Sequence, residues 1–299
     1  MISALGLGAA ELGGEYGPMA PATAQEIVRT ALDCGITFID VSPYYGRTRA
    51  ETVLGDALRG VPRDSYVLAT KVGRYDVDEF DFSAARVVRS VEESLRRLRT
   101  DHIDLIQCHD IEFGSLDQVV SETLPALRGL REKGLVGAVG ITGFPLSALV
   151  SVAGRAPVDT VLSYCHYNLL IRTLGERVPF FADRKIGVLN ASPLGMGLLT
   201  EAGPPGWHPA SDEMRAACRR AAEFCRRQGA SIVRLALQFA MTLPGVTSTI
   251  VGASDAESVR RNAEWAAEPV DADLLEAVEN ILADVRDAEW PVGRPENRT

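Results

Sequence analysis

The chain is poor in the residues that build metal sites and disulfide frameworks. Its 299 residues include five cysteines and four histidines. The cysteines form no CxxC pair and show no metal-ligand spacing with the histidines. An odd number of cysteines without such a framework indicates reduced thiols, which are typical of a cytosolic enzyme. We therefore predict reduced cysteines and no metal site.

Positive charge is also in short supply. There are 31 lysines and arginines against 40 acidic residues, which gives a net charge of −9. This balance argues against a nucleic-acid or anionic-membrane partner, because both need a basic surface. No uncharged apolar stretch approaches the roughly 20 residues of a membrane span. We expect a cytoplasmic protein that is neither exported nor membrane-spanning, and the sequence leaves its oligomeric state open.

Short apolar runs and helical patterns alternate along the chain. The runs predict buried parallel strands, and each helix-like stretch repeats its apolar positions at three and four residues. The predicted strands are residues 4–8, 36–40, 66–71, 103–108, 138–142, 158–163, 187–191 and 248–251. Such alternation predicts an α/β fold, the (β/α)8 TIM barrel, which at about 250 residues is one domain. We expect one domain over 1–299, with a flexible tail at 293–299.

Four polar residues follow or end three of these strands. Asp40 ends the second strand, Tyr45 lies just beyond it, Lys71 ends the third strand and His109 follows the fourth. The carboxyl ends of barrel strands share one face, so these side chains should meet at one mouth. We predict that they form a catalytic set.

The chemistry of this set is proton transfer at an oxygen. A tyrosine has an ordinary pKa of about 10, and a neighbouring ammonium should lower it. Lys71 would then activate Tyr45, and Asp40 would hold Lys71 charged and in place. His109 could orient the oxygen of a carbonyl or carbinol while a hydride moves elsewhere.

Several motifs together resemble the aldo-keto reductases. They are DVSPYYG, LATK, NASPLGMG and TIVGAS, in an order that covers about residues 6–262. The resemblance implies a (β/α)8 barrel and a nicotinamide cofactor. It also implies that the catalytic tyrosine stands immediately before the glycine, which selects Tyr45 rather than Tyr44.

A longer stretch resembles one branch of that family, the L-galactose dehydrogenases and related aldose 1-dehydrogenases. It is QCHDIEFGSLDQVVSETLPALRGL (107–130), accompanied by GITGFP, LSYCHYN and EWPVG. The branch implies oxidation at C1 of L-galactose, or of a related sugar such as L-fucose, to the aldonolactone. An NADPH-dependent carbonyl reductase, a pyridoxal-type dehydrogenase and a non-catalytic cofactor-sensing subunit remain alternatives.

The resemblance also implies where the cofactor binds. NADP-preferring relatives carry a lysine and an arginine where this chain has Gly252 and Ser258, so NAD is expected rather than NADP, although Arg260 and Arg261 lie nearby. Tyr164 could supply the aromatic surface that Ala191 lacks. The implied cofactor contacts are Gly6, Thr142, Gly143, Tyr164, Ser192, Leu194, Gly195, Gly252, Ala253, Ser254, Ser258 and Asn262.

Loop residues near the mouth are candidates for substrate contact. We expect Tyr44, Ile111 and Trp207 to face a small sugar substrate. Trp207 and His208 lie in a loop rich in proline and glycine, where they could line the pocket or hold the loop in place. The sequence does not separate these two roles.

Overall fold

Eight parallel strands close into a barrel. The structure is a computed structural model and describes residues 2–298. The strands are β1 (Leu5–Gly8), β2 (Phe38–Asp40), β3 (Val67–Val72), β4 (Ile103–Cys108), β5 (Val136–Gly143), β6 (Thr160–Tyr164), β7 (Gly187–Ala191) and β8 (Val246–Val251). Each pairs with the next in chain order, and β8 pairs with β1. The predicted fold class is confirmed.

Helices cover the outside of the barrel. They are α1 (Ala10–Gly13), α2 (Pro21–Asp33), α3 (Arg49–Ala57), α4 (Ala84–Leu98), α5 (Leu116–Gln118), α6 (Leu124–Glu132), α7 (Leu146–Arg155), α8 (Val178–Asp183), α9 (Asp212–Arg227), α10 (Ile232–Ala240), α11 (Ala256–Ala266) and α12 (Ala272–Leu282). A π-helical stretch, Val119–Thr123, joins α5 to α6. Among residues 2–298, no helix is both long enough and apolar enough to span a membrane.

The predicted strands are all present, and their ends differ from the prediction by at most two residues. Three helices were not predicted from the sequence: α1, α7 and α8. The four residues of α1 and the six of α8 are too few to establish a helical period. α7 does show such a period, with Ser147, Ser151 and Arg155 spaced four residues apart, and sequence reasoning missed it.

Large side chains fill the barrel beneath its mouth. Phe38, Ala69, Leu105, Leu162, Leu189 and Ile250 form this inner cluster. Gly6 lies in the middle of β1, where a Cβ atom would come within 2.9 Å of Phe38 Cδ1. Its role in the fold is to leave room for the Phe38 ring.

The carboxyl-terminal segment packs against the loop that follows β4. Asn297 is buried, and its Nδ2 donates to the carbonyl oxygens of Glu112 and Gly114, each at 2.9 Å. Arg294 N also donates to Glu112 O, at 2.9 Å. Most of the tail that was expected to be flexible is thus attached to the barrel, because a buried amide replaces water as the partner of these carbonyls.

Replacing Asn297 with alanine should destabilise the protein by about 1–3 kcal/mol, because buried carbonyls lose their donor. Urea unfolding of this variant and of Glu296→Ala, an exposed neighbour, provides the comparison. We expect the free energy of unfolding to fall clearly in Asn297→Ala and to change little in Glu296→Ala. Equal midpoints for the two variants would show that the tail contributes nothing through this residue.

Candidate active site

The four predicted catalytic residues meet at the mouth of the barrel. Lys71 Nζ lies 2.5 Å from Asp40 Oδ2 and 3.2 Å from Tyr45 Oη. The rings of Tyr45 and His109 meet edge-on, with centroids 5.8 Å apart. Parallel strands bring these groups together because their carboxyl ends all open on one face.

Strand alternation turns Lys71 inward. Ala69, two residues earlier in β3, belongs to the inner cluster, so Lys71 points the same way one layer higher. Its side chain is 1% exposed. The ammonium donates to Asp40 Oδ2, to Tyr45 Oη and, at 2.9 Å, to Val41 O. Three acceptors match its three protons, so the buried cation is fully hydrogen-bonded.

Gln107 completes the environment of the buried carboxylate, and sequence reasoning missed it. Its Nε2 donates to Asp40 Oδ1 at 2.9 Å, which leaves Oδ2 for Lys71. Gln107 lies on β4 two residues before His109 and is fully buried. A polar residue on the inward face of an apolar strand was the signal that could have identified it.

The protonation of Tyr45 differs from the sequence expectation. Burial raises the pKa of Tyr45 well above its ordinary value, and the negative charges of Asp40 and Asp110 raise it further. The prediction that Lys71 lowers this pKa is wrong for the protein alone. The physical reason is that Asp40 offsets the charge of Lys71 beside an enclosed ring. Tyr45 is therefore a neutral phenol.

His109 is a neutral hydrogen-bond donor. Burial lowers its pKa to about 3, although the negative charge of Asp110 acts in the opposite direction. Ser42 Oγ lies 3.0 Å from His109 Nδ1 and accepts a hydrogen bond from Tyr44 N at 3.1 Å. The hydroxyl proton is then free to donate to Nδ1, which assigns the remaining proton to Nε2. Ser42, which sequence reasoning did not single out, thus orients His109.

The predicted substrate residues separate in the structure. Tyr44 lies at the site, with its ring centroid 5.9 Å from that of His109. Ile111 is fully buried in the hydrophobic layer outside the barrel, so its predicted substrate contact is wrong. The loop bends after His109 and turns that side chain away from the mouth.

The loop after β7 is held by His208 rather than by Trp207. His208 Nε2 donates to Gly195 O at 3.1 Å, and its Nδ1 accepts from Ala210 N at 3.0 Å. Trp207 is 55% exposed, and its ring centroid lies 6.0 Å from that of Tyr16, which follows β1. His208 therefore holds the loop in place, while Trp207 contacts the loop that follows β1.

The predicted cofactor residues at β5, β6 and β7 surround the same mouth. Thr142 Oγ1 accepts from Asp110 N at 3.1 Å. Tyr164 pairs in register with Ala191, so the large ring stands beside the small residue. Ser192 and Gly195 both have left-handed backbone conformations. Leu194, between them in the chain, packs against two of the hydrophobic clusters.

Glutamate side chains occupy the space beside two of the predicted glycines. A Cβ atom at Gly143 would lie 2.6 Å from Glu112 Oε2, and one at Gly252 would lie 1.8 Å from Glu11 Oε1. Burial raises the pKa of Glu112 well above its ordinary range, and Asp110 adds to the effect. The carboxyl groups of Glu112 and Glu11 therefore occupy the space that side chains at positions 143 and 252 would need.

The start of α11 is capped by its own residues. Asp255 Oδ1 accepts from Ser258 N at 2.7 Å, and Ser258 Oγ accepts from Asp255 N at 3.1 Å. Asn262 Nδ2 donates to Gly252 O at 3.3 Å and so holds the preceding loop. Ala253 is buried there and Ser254 is exposed. Because Ser258 is engaged in this capping box, its hydroxyl is not free to grip a phosphate.

Comparison with known proteins agrees with this geometry. The model of the aldo/keto reductase family matches residues 4–283. L-galactose dehydrogenase of Arabidopsis thaliana is 46% identical over 99% of this chain and 95% of its own length. D-arabinose 1-dehydrogenase of Saccharomyces cerevisiae is 33% identical over 98% and 95%. The holo form of aldo-keto reductase AKR11C1 from Bacillus halodurans superimposes with a TM-score of 0.78 at 26% identity, covering 100% and 96%.

Removing the ammonium should leave a buried charge without its partner. Lys71→Met is expected to cost about 3–5 kcal/mol of stability, because Asp40 stays buried and unpaired. The double variant Asp40→Asn/Lys71→Met should recover most of that loss, and Lys133→Met, an exposed lysine, serves as control. Urea unfolding measures all three. Identical midpoints for Lys71→Met and Lys133→Met would contradict the buried pair.

Proposed function

The chain is a member of the aldo/keto reductase family, and we propose that it is an NAD-dependent aldose 1-dehydrogenase. Its substrate is L-galactose or a sugar of related stereochemistry, such as L-fucose, and its product is the aldonolactone. The observation that carries this proposal is the buried Asp40–Lys71–Tyr45 relay beside a neutral His109. The likeness to L-galactose dehydrogenase supports the choice of sugar.

Each residue of the site has a distinct task in this proposal. His109 Nε2–H donates to the oxygen on C1 and fixes its position. In oxidation Tyr45 Oη, after losing its own proton to solvent, takes the proton of that hydroxyl as the tyrosinate, and in reduction the neutral phenol donates its proton to the developing alkoxide. Lys71 holds the Tyr45 oxygen by a hydrogen bond, and Asp40 holds Lys71. Residues around the mouth such as Thr142, Tyr164 and Ser192 would hold NAD, which when bound would supply the hydride acceptor for C1 and a positive charge that favours the tyrosinate.

The residues around Gly252 favour NAD over NADP. A lysine at that position would overlap Glu11, because its Cβ would lie 1.8 Å from Glu11 Oε1, so it could not extend to a 2′-phosphate unless Glu11 moved. Ser258 is tied into the cap of α11, and the Asp255 carboxylate already occupies the positive end of this helix. Arg260 Nη1 lies 3.7 Å from Glu257 Oε2, so the positive charge of Arg260 is partly offset. The carboxylates of Asp255 and Glu257 would repel the extra phosphate of NADP.

Reduction of an aldehyde is the second candidate function. The raised pKa of Tyr45 favours it, because a neutral phenol already holds the proton that a developing alkoxide needs. Oxidation needs the tyrosinate, so its rate should rise with pH, whereas reduction should fall as the phenol ionises. Pyridoxal and simple aldehydes test this candidate.

Purified protein with NAD should form NADH on L-galactose or L-fucose faster than on D-arabinose, L-glucose or pyridoxal. The expected order follows from the relatives and from a site suited to a carbinol oxygen. Absorbance of NADH measures each rate, with NADP as the parallel cofactor. Activity confined to aldehyde reduction with NADPH would overturn both the substrate and the cofactor.

Tyr45→Phe should lower turnover by about 10²–10⁴-fold, because the proton-transfer group is lost. Tyr44→Phe is the matched control, since it removes a phenol at the same mouth without touching Lys71. We expect Tyr44→Phe to keep most of the turnover. Steady-state kinetics with NAD bound make the comparison, and comparable losses in both variants would refute the assignment of Tyr45.

Exchanging the residues beside Gly252 should shift the cofactor preference. The variant Glu11→Ala/Gly252→Lys/Ser258→Arg is expected to raise kcat/KM for NADP relative to NAD by about 10-fold or more, because two cations face the 2′-phosphate without a competing carboxylate. Gly252→Lys/Ser258→Arg with Glu11 retained should shift it less. If both variants prefer NADP equally, Glu11 has no part in the preference.

A further inference from the structure

Asp110 adopts a backbone conformation that is uncommon among residues other than glycine, although aspartate tolerates it better than most. It follows His109 directly and has a φ of 51°, in the left-handed region. Its amide N donates to Thr142 Oγ1 at 3.1 Å, which fixes the bend from the neighbouring strand. Conformations of this kind persist where the surrounding structure holds a side chain in a particular place. Here the bend directs the carboxylate toward His109.

The carboxylate of Asp110 stands beside the donor nitrogen of His109. Its Oδ2 lies 3.7 Å from His109 Nε2, which is too far for a hydrogen bond between them. Oδ2 also lies 2.5 Å from Arg74 Nη1. Oδ1 makes no hydrogen bond to any residue in the described range 2–298. A carboxylate with one oxygen unpaired in that range thus stands next to the donor assigned to the reacting oxygen.

Arg74 is fixed by aromatic rings on several sides. Its Cζ lies 3.9 Å from the ring centroid of Tyr44 and 5.3 Å from those of Phe80 and Phe113. These two phenylalanines stack on each other with centroids 4.6 Å apart. A planar guanidinium held in this way directs its charge to one place, the Asp110 carboxylate. Burial acts to raise the pKa of Asp110, but the charge of the Arg74 guanidinium and its hydrogen bond hold that pKa below its ordinary value, so the carboxyl group is charged.

We propose that Asp110 is a specificity residue that binds the hydroxyl on C2 of the substrate, and that Arg74 is the positioning residue that holds it. The inference rests on the proposed function, in which His109 Nε2–H binds the oxygen on C1. A neighbouring carboxylate needs a donor, and the hydroxyl on the adjacent carbon is the donor that a sugar places there. A substrate without that hydroxyl leaves a buried charge unpaired.

A substrate pair tests this assignment. L-galactose and 2-deoxy-L-galactose differ only at the hydroxyl in question. With the unchanged enzyme, kcat/KM should be about 10- to 100-fold higher for L-galactose, the range for a hydrogen bond to a charged group. In Asp110→Asn the value for L-galactose should fall toward that for the deoxy sugar, while the deoxy sugar changes by no more than about 3-fold.

Two further variants separate positioning from folding. Arg74→Met should lower kcat/KM for L-galactose and narrow its advantage over the deoxy sugar, and Arg74→Lys should restore part of that advantage. Asp76→Asn removes an exposed carboxylate that pairs with Arg47 and should change neither substrate. Melting temperature and NAD affinity are measured for every variant. The assignment would be overturned if Asp110→Asn lowered kcat/KM equally for both sugars. It would also be overturned if the unchanged enzyme had the same kcat/KM for L-galactose and 2-deoxy-L-galactose.

Failure of the sugar as a substrate is distinguishable from failure of Asp110. If L-galactose is not oxidised, glycolaldehyde and acetaldehyde provide the same comparison in the direction of reduction, with NADH. If the unchanged enzyme reduces glycolaldehyde faster than acetaldehyde and Asp110→Asn does not, the role of Asp110 is supported although L-galactose is not the substrate. Equal rates on the two aldehydes in the unchanged enzyme would overturn the assignment in this direction as well.

Discussion

The buried ion pair between Lys71 and Asp40 is the interaction on which the site depends. Two charges removed from water are costly unless their remaining hydrogen bonds are satisfied. Here Gln107 on β4 and Val41 O and Tyr45 in the loop after β2 satisfy those hydrogen bonds. The barrel thus fixes the Tyr45 oxygen through the same contacts that stabilise the pair.

The same strands determine what lies below the site. Inward residues alternate along each strand, so the apolar layer that contains Phe38 and Ala69 supports the polar layer that contains Asp40 and Lys71. Gly6 admits the Phe38 ring and closes this layer. A dry floor keeps water from the ion pair and strengthens its electrostatic interactions.

Loops and the carboxyl-terminal segment shape the rest of the mouth. Asp110 reaches His109 because its backbone bends after β4, and Arg74 reaches Asp110 from the end of β3. Trp290, in the terminal segment, packs on Phe144 and on His208, so this segment also supports the loop after β7. Contacts between distant parts of the chain therefore decide which polar groups face a ligand.

The sequence by itself determined the eight strands, their order and the meeting of Asp40, Tyr45, Lys71 and His109, because strand alternation and parallel closure are local rules applied repeatedly. Only the tertiary structure decided the neutral state of Tyr45, the Ser42 contact of His109, the burial of Ile111, the place of Gly6 and the attachment of the tail. Each of these depends on the distance between groups far apart in the chain, and hydrophobic period carries no information about such distances.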